Sequence, residues 1–515
     1  MQNGISQTIE GSYSNMENDK VPGKIIYDKE SNNYFFLNFF YTKKTLQISL
    51  SKLGNNLNLI WEKVVYEYPY KEEGDCYGDK LSHYFFTVGG GFIYFFRDTE
   101  SGVKSDLLQC KLDMLGNIVE DYKTIISVPN TDLYRFLSGK ENSSLIIVPM
   151  RAGIPEKYRS SRLVLKSSFK EPQAMLTFPD KKTFNCFIFN PSTGKINKIN
   201  VPITDWDSEN AVSYLQTDGN NLFFNEFIMS GMNQTQNIYC YNFENGKIFK
   251  NRFAKYDYKT YSIASTEFGK FLYKPDYFIQ SGIKSISGFE LPETDEKKLP
   301  ATVYYNKCLW NKDGKYEIKE INTPDPTKEL IKQIAIEHAV RKKFLLNEFE
   351  FLKILPNSVG GYFVIAERNR DESSIPDHKI GTSFQKDEEN TFRKYFAEEL
   401  LVFSLSDSGE LKYSAIINKR HKYVSYRPTP YFAEFDGSLF VFYEEERKKD
   451  KGGNNLYSAV VKSSGEVIYK EGLFQDYDKN NVLHGNSCIE TGEGKVILWI
   501  GNHKKGRTLY KVGLN

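Results

Sequence analysis

The sequence lacks the charge imbalance and the long apolar runs that mark several common functional classes. Its 68 Lys and Arg residues are nearly balanced by 66 Asp and Glu residues, which leaves a formal net charge of +2. So small a charge supplies no field that would draw the chain to nucleic acid or to an acidic membrane, and neither partner is expected. No apolar run approaches the roughly 18 residues that a spanning helix needs, so we expect no transmembrane segment.

Motifs for metal binding and redox chemistry are also lacking. The six cysteines include no CxxC pair and the six histidines no HExxH pattern, so we expect no metal and no cofactor. Cys76 lies in a predicted polar loop and is a candidate free thiol. The other five lie in predicted strands, where a free cysteine acts as a small apolar residue; they are Cys110, Cys186, Cys240, Cys308 and Cys488.

No basic segment followed by an apolar core opens the chain, so this numbering contains no export signal. Two interpretations are open: a cytoplasmic protein, or a mature exported chain to which Met1 has been added. The polar stretch 2–20 favours the second. We therefore expect a periplasmic or extracellular protein if a signal was removed, and a cytoplasmic one otherwise.

Aromatic residues are abundant, with 38 Phe and 35 Tyr, and they favour strands. The clearest unit is 431–473, in which two aromatic strands meet at Asp436-Gly437, a dipeptide typical of tight hairpins. A second strand pair turns at Gly465 after a charged loop. Four antiparallel strands in about 45 residues have the size of one propeller blade. The four strands are predicted at 431–435, 438–443, 456–462 and 466–469.

Both halves of this unit recur along the chain. The first hairpin occurs eight times and the second seven times. The seven second turns are predicted at Gly54, Gly116, Gly194, Gly246, Gly314, Gly409 and Gly465. The eighth unit has only a third strand, at 507–515, and the alternating segment 5–9 is suited to pair with 509–512. We predict an all-β, eight-bladed β-propeller closed by this N-terminal strand, with seven blades as the alternative.

The whole chain, 1–515, is expected to form this single domain with one helical insertion. Asp325-Pro326 is a helix-start signal, and apolar residues at helical spacing follow it, so the helix is placed at 326–346. Long loops collect between second and third strands, on one face that we expect to bind ligands or partners. They are placed at 151–183, 280–300, 368–396 and 444–455.

Two turn motifs resemble those of known propeller families only in part. Residues 191–195, PSTGK, are similar to the Thr-Gly-Lys turn of quinoprotein propellers, but Asn190 stands where that repeat has Asp. Residues 405–413, LSDSGELKY, resemble the Asp box of sialidases, with Leu405 and Tyr413 in place of its Ser and Trp. The chain thus resembles β-propeller repeat proteins by architecture and matches no specific family motif.

No residue set predicts a reaction. A glycosidase would need two carboxylates about 5 to 10 Å apart at the ring centre. Candidates at second-strand ends are Asp98, Glu226, Glu367 and 444–446, which we interpret as solvated strand ends. With no catalytic residues identified, we expect a non-catalytic binding or scaffolding propeller.

The partner is expected to be a protein, docked on the loop face. Aromatic and Arg side chains dominate interface energetics, so the candidate anchors are residues of these types: Tyr158, Arg159, Arg162, Tyr395 and Arg447. The bias to Lys, Asn, Tyr and Phe resembles exported proteins of the Bacteroidetes. That resemblance implies an accessory, plug-like subunit of an outer-membrane protein translocon such as the type IX secretion system. The alternative is a carbohydrate-active enzyme or a glycan-binding propeller.

Overall fold

The computed structural model is built from β-strands throughout the residues that it describes. These are residues 7–15, 24–41, 45–69, 84–99, 105–129, 131, 133–138, 144–152, 174–176, 183–203, 211–230, 233–253, 270–285, 301–310, 315–316, 349–372, 394–419, 421–423, 429–446, 454–470, 474, 481–492, 494–502 and 506–514. Within these ranges there is no α-helix. The predicted helix at 326–346 lies outside them.

Within the described residues, hydrogen bonding groups 35 strands into seven sheets. Sheet 1 contains β2 (Ile25–Asp28), β3 (Asn33–Tyr41), β4 (Thr45–Leu53) and β5 (Leu59–Pro69). Sheet 2 contains β6 (Tyr84–Gly89), β7 (Phe92–Asp98), β8 (Asp106–Asp113) and β9 (Ile118–Ser127). Sheet 3 contains β10 (Leu133–Ser138), β11 (Leu145–Ala152), β12 (Ala174–Leu176), β13 (Thr183–Asn190), β14 (Lys195–Pro202), β15 (Ala211–Thr217), β16 (Asn221–Ser230), β17 (Asn233–Asn242), β18 (Ile248–Phe253) and β22 (Lys315–Tyr316).

The remaining sheets follow in chain order. Sheet 4 contains β19 (Lys270–Tyr273), β20 (Tyr277–Ser285) and β21 (Ala301–Leu309). Sheet 5 contains β23 (Phe349–Pro356), β24 (Tyr362–Glu372), β25 (Lys394–Leu405), β26 (Leu411–Ile417) and β27 (His421–Tyr423). Sheet 6 contains β28 (Tyr431–Phe435), β29 (Ser438–Glu446), β30 (Asn454–Val461) and β31 (Val467–Lys470). Sheet 7 contains β1 (Gln7–Asn15), β32 (Asn481–Leu483), β33 (Ile489–Gly492), β34 (Lys495–Asn502) and β35 (Gly506–Leu514).

Sheet 6 is the four-stranded unit predicted from residues 431–473. Its order is β28-β29-β30-β31, all antiparallel, and its first turn has positive φ at both Asp436 and Gly437. The prediction of this unit is confirmed. The observed β29 runs through Glu446, three residues further than the predicted 438–443, because its pairing with β30 continues to Glu446 opposite Asn454.

The two ends of the described chain pair with each other. Strand β1 runs antiparallel to β35, with Ile9 opposite Val512 and Gln7 opposite Leu514. Gln7 also accepts a hydrogen bond from Ser458 of sheet 6 at 2.5 Å. The predicted closure of the ring by an N-terminal strand is confirmed. It gives the edge of β35 a partner, so that this edge is not left open to aggregation.

Apolar clusters lie between the faces of successive sheets and continue around a ring. One cluster joins sheets 1 and 2, one joins sheets 5 and 6, and another joins sheets 6, 7 and 1. In the last of these, Phe36 of sheet 1 meets Trp499 of sheet 7 edge to face, with ring centroids 5.9 Å apart. Because the last sheet packs on the first, the sheets form a closed β-propeller.

The hydrogen-bonded sheet count is seven, which is our alternative blade number. The eight blades of the main prediction are not supported by this count. The difference arises in the ten-stranded sheet 3, where β12 pairs with both β11 and β15 and so joins two runs of strands into one sheet. One apolar cluster also lies between these two runs, bringing Ile146 and Phe184 together with Phe224 and Tyr239.

One of the predicted second turns differs from expectation, and another, at Gly314, lies outside the described residues. At the first, positive φ falls on Leu57 rather than on Gly54, and the Leu57 side chain is fully buried, which offsets the cost of that backbone conformation. The hairpin predicted around Gly314 is not formed by the two described residues that follow it. Lys315 and Tyr316 instead pair in parallel with β18. Trp310 donates its ring N–H to the Lys274 carbonyl and thereby ties the end of β21 to the turn between β19 and β20.

Candidate functional site

Four of the five predicted partner anchors, Tyr158, Arg159, Arg162 and Arg447, lie outside the described residues. The fifth, Tyr395, was placed in a loop but belongs to strand β25, where it pairs with Asp371 of β24 and Tyr423 of β27. A role of these residues in partner binding stays a prediction.

The strands extend into the ends of all four predicted loops. Strand β24 runs to Glu372 and β25 starts at Lys394, so a paired ribbon occupies both ends of the predicted loop 368–396. Likewise β11 ends at Ala152, and β20 runs to Ser285 before β21 begins. The predicted loops begin before the preceding strands end, because charged and polar residues at the end of a strand resemble a loop sequence.

Four of the six carboxylates predicted at solvated strand ends are buried instead. Asp98, Glu226, Glu367 and Glu444 are at most 4% exposed. Glu226 accepts hydrogen bonds from the Asn237 amide and the Tyr239 hydroxyl, both at 2.7 Å. Glu444 accepts one from the backbone N–H of Leu483 in the next sheet. The interpretation as solvated ends was wrong for these four residues. The strands continue past Glu226, Glu367 and Glu444, and the Asp98 side chain is buried although β7 ends there.

Sheet 5 contains a buried ionic cluster that includes Glu367. Its members are Glu367, Arg368, Glu398, Glu399, Lys419 and His421. Lys419 forms an ion pair with Glu367. A bulge puts both Glu398 and Glu399 opposite Arg368, whose Nη1 lies 3.6 Å from one carboxylate and 3.5 Å from the other.

His421 is uncharged within this cluster. Burial and the positive charge of Lys419 lower its pKa from 6.5 to about 4, against the opposing effect of Glu367. Beyond the bulge, β27 replaces β26 as the partner of β25. The cluster therefore lies beside the paired segments 369–372, 394–397 and 421–423 of β24, β25 and β27.

A second group of titratable side chains lies on strands β23, β28 and β33 of sheets 5, 6 and 7. Lys353 of β23 faces Tyr431 of β28, with the ammonium 5.9 Å from the ring centroid. Lys353 on β23 and Glu490 on β33 are both partly solvent-exposed, although protein atoms surround each of them closely enough to desolvate it in part. Each stands beside a break in strand register, between Phe351 and Lys353 in β23 and between Glu490 and Gly492 in β33. Such bulges commonly re-aim a side chain at functional sites.

The surroundings shift the acid–base properties of this group. Desolvation lowers the pKa of Lys353, against the opposing charge of Glu490. Desolvation also raises the pKa of Glu490, and the nearby carboxylate of Glu434 acts in the same direction. Burial raises the pKa of Tyr431 well above its ordinary value. Both the amine and the carboxyl are thus biased towards their neutral forms, a pattern that is enriched at functional sites.

Sequence reasoning missed Lys353, Tyr431 and Glu490. The available signal was weak: Lys353 interrupts the apolar run Phe351-Leu352-Lys353-Ile354-Leu355 in a strand predicted to lie at the centre of the ring. Only the packing of three separate sheets brings these residues near one another.

An exposed apolar patch covers the outer strands of sheets 1 and 2. Six of the ten large apolar side chains that are exposed in the described chain lie here: Leu59, Ile60, Val64, Leu115, Ile118 and Val119. The two sheets touch at this point, because the Trp61 ring N–H donates to the Met114 carbonyl at 3.1 Å. We call these six residues the rim patch. Large exposed apolar patches are commonly found at interaction sites.

Four of the cysteines predicted to be buried are described as free and buried, namely Cys110, Cys186, Cys240 and Cys488. The side chain of Cys308 and the whole of Cys76 lie outside the description. Burial raises the pKa of Cys110 to about 11 and that of Cys488 to about 12, so neither is a ready nucleophile. No group of three or more His, Cys, Asp or Glu residues in the described part of the chain is placed to hold a metal ion.

The part of the chain that the structure describes contains no helix long and apolar enough to cross a bilayer.

Comparison with known proteins finds only distant similarities. No protein-family model matches the chain, and no curated protein matches it. It is similar to the β-propeller domain of the Trilobed protease from Pyrococcus furiosus, at 10% identity and a TM-score of 0.33, over 83% of this chain and 95% of that one. It is also similar to the polysaccharide lyase Uly1, at 8% identity and a TM-score of 0.38, over 100% of this chain and 93% of that one. A third similar structure is the Nup133 β-propeller domain of Vanderwaltozyma polyspora, at 7% identity and a TM-score of 0.34, over 100% of this chain and 99% of that one.

Proposed function

We propose that this protein is a binding and scaffolding β-propeller that docks a protein partner. The observation that carries the proposal is the rim patch, because six exposed apolar side chains on two touching sheets leave apolar area in water that a partner would cover. Two of its residues, Ile60 and Val119, are about half exposed, so they contribute little to the core and much to a contact surface.

The test is a pull-down from cells of the source organism with three tagged chains. Wild type and Thr124→Glu, an exposed position on the same strand β9, should recover one stoichiometric protein. The double variant Ile60→Glu, Val119→Glu should lose it while keeping the wild-type melting temperature. Equal recovery by the double variant, or recovery of no protein by wild type, would count against the proposal.

An enzyme or binder acting on glycans is the second candidate. The observation in its favour is that Glu434 and Glu490, on the first strands of sheets 6 and 7, are close enough for their charges to interact. Two carboxylates near the ring centre are the minimal requirement of a glycosidase. Turnover of polysaccharides that is lost in Glu490→Gln would support this function, and absence of turnover across a broad glycan panel would remove it.

The exported location and a role as an accessory, plug-like subunit of an outer-membrane translocon belong to the proposal as well. Their support is the composition of the chain and its polar stretch 2–20. Cell fractionation with antibody detection tests the location. Recovery of outer-membrane translocon components in the pull-down tests the role.

We further propose that the ring has eight blades. Apart from the two-residue strand β22, sheet 3 consists of two four-stranded antiparallel runs, β10-β11-β13-β14 and β15-β16-β17-β18, joined through the three-residue strand β12. The support is the apolar cluster that lies between the two runs, as between neighbouring sheets elsewhere in the ring. An experimental structure that shows eight radial units would agree with this count, and one that shows seven would refute it.

A further inference from the structure

Arg97, near the end of β7, is held between two tyrosine rings from neighbouring sheets. Its guanidinium carbon lies 4.2 Å from the ring centroid of Tyr66, on β5 of sheet 1, and 4.8 Å from that of Tyr122, on β9 of sheet 2. The Tyr122 hydroxyl donates to the Val65 carbonyl at 3.0 Å, which fixes the second ring against the strand that carries the first. We call Arg97, Tyr66 and Tyr122 the arginine clamp.

The two rings stabilise the charge of Arg97 but leave its hydrogen-bond donors unused. Its Nε is buried without a hydrogen-bond partner. The side chain is partly exposed beyond that atom, so the part that solvent reaches is the pair of terminal Nη groups. Among the described residues no carboxylate forms an ion pair with this guanidinium. Asp98 follows it in the chain, but alternation along a strand puts the two side chains on opposite faces of the sheet.

A comparable cation in the same sheet already has an acceptor. Lys111 lies over the ring of Phe92, 3.9 Å from the centroid, and pairs with the Glu120 carboxylate at 3.3 Å. At Lys111 an aromatic ring and a carboxylate therefore hold the cation together, whereas Arg97 has the rings alone. Polar groups left without partners in a folded protein call for a physical explanation, and an acceptor brought by a ligand is one.

We propose that the arginine clamp binds the carboxylate of an external ligand, which the terminal N–H groups of Arg97 hold through two parallel hydrogen bonds. The planar fork of a guanidinium matches the two oxygens of a carboxylate. The rings keep that fork in one plane, so little side-chain freedom is lost when the ligand binds. This inference does not depend on either proposed function.

The charge of the clamp favours a carboxylate over a phosphate. Arg97 is the cation that these two rings hold in the described chain, so the site offers one positive charge. A carboxylate carries one negative charge and is matched by one guanidinium. A phosphate carries more charge, and its sites usually combine a cation with several backbone N–H groups.

The experiment uses full-length, perdeuterated protein with isotope-labelled arginine and follows the Cζ and Nη signals of the arginine side chains by NMR. Sodium acetate replaces sodium chloride at constant ionic strength. Arg135 on β10 is the internal control, because it is also partly buried and no ring stacks on it within the described chain. We expect Arg97 to bind acetate at least about fivefold more tightly than Arg135, since its side chain is already ordered. Equal affinities at the two arginines overturn the proposal.

Two further ligands identify the class and the source of the anion. Inorganic phosphate should bind Arg97 more weakly than acetate does, and tighter binding of phosphate would overturn the assignment to carboxylates. A glutamate capped at its amino and α-carboxyl groups presents the same carboxylate as a peptide side chain. Tighter binding of this compound than of acetate supports a polypeptide as the natural ligand, and weaker binding supports a small free acid.

Variants then test the role of the rings. Tyr66→Leu keeps an apolar side chain but removes one ring, so the acetate affinity of Arg97 should fall to that of Arg135. Arg97→Lys should remove the Arg97 signals and thereby assign them. Arg135→Lys is the matched control and should leave acetate binding at Arg97 unchanged. Wild-type affinity in Tyr66→Leu would refute the role of the clamp. The comparison of the two arginines in wild type decides the proposal even if Tyr66→Leu fails to fold.

Discussion

Lys419 and Glu367 form an ion pair in which neither side chain is more than 2% exposed. Replacing Lys419 with Met leaves the Glu367 carboxylate buried without this partner, and we expect a loss of about 3 to 5 kcal/mol of unfolding free energy. Chemical denaturation monitored by tryptophan fluorescence measures it. The double variant Lys419→Met, Glu367→Leu should recover most of the loss, because it removes both charges.

The matched control for this pair is Lys462→Met. Lys462 pairs with Glu466 at 2.8 Å, but the two side chains are 31% and 59% exposed. Water screens such a pair, so its loss should change the unfolding free energy by less than about 1 kcal/mol. Equal effects of Lys419→Met and Lys462→Met would show that the buried ionic cluster contributes nothing specific.

Stability should fall with acidification through His421. Its pKa is about 4 in the folded protein and near 6.5 once exposed, so the unfolded chain binds an extra proton between these values. The unfolding free energy therefore rises with pH across this window. The contribution of His421 to it falls by up to about 3 kcal/mol as the pH drops from 6.5 through 4. His421→Gln cannot titrate, so its unfolding free energy should fall less between pH 7.5 and pH 4 than that of wild type.

Other groups that titrate in acid are common to both proteins, so the wild-type minus variant difference isolates His421. An unchanged slope in His421→Gln would mean that the pKa of this histidine is the same in the folded and the unfolded chain, contrary to its buried position beside Lys419.

Gly361→Ala should be far more damaging than Gly492→Ala. Both residues have similar positive φ, +89° and +83°, so both variants carry the same left-handed backbone cost of about 1 to 2 kcal/mol. A Cβ on Gly361 would lie 1.9 Å from the Leu405 carbonyl oxygen, whereas one on Gly492 would meet nothing within 4 Å. We expect a further loss of about 1 to 3 kcal/mol for Gly361→Ala, as in overpacked sites. Thermal or urea denaturation of the two variants compares them directly.

Removal of the closing strand should destabilise the ring. A chain that lacks residues 1–15 loses the pairing of β1 with β35 and the ion pair of Lys495 with Glu10 at 3.4 Å. The unpaired edge of β35 should then lower the melting temperature and cause self-association visible by light scattering. A chain that lacks only residues 1–6 keeps all of β1 and is the control. Monomeric behaviour and an unchanged melting temperature in the larger deletion would contradict this role of β1.

The sequence was sufficient to predict local pairing and the closure of the ring. Alternating aromatic residues and the Asp436-Gly437 turn defined sheet 6, and the incomplete last repeat led to the pairing of Ile9 with Val512. These features depend on short-range pattern or on counting repeats, and both are readable from one chain.

The sites could not be predicted in the same way. Glu367 and Glu444 look like solvated strand ends in the sequence, and only the neighbouring strands reveal that they are buried. The proximity of Lys353 to Glu490 depends on two bulges in strands far apart in the chain. A bulge reverses which face a side chain occupies, and no residue pattern here marks its position.

The pairing of β1 with β35 also sets the order in which the molecule can be completed. During synthesis β1 leaves the ribosome long before its partner β35, so it must wait for the strands between them. Contacts of such high sequence separation slow folding and lengthen the time for which apolar strands are unprotected. The same contacts hold β1 and β35 in one sheet, so local unfolding at either strand must break this shared pairing, which favours slow unfolding and a long-lived native state.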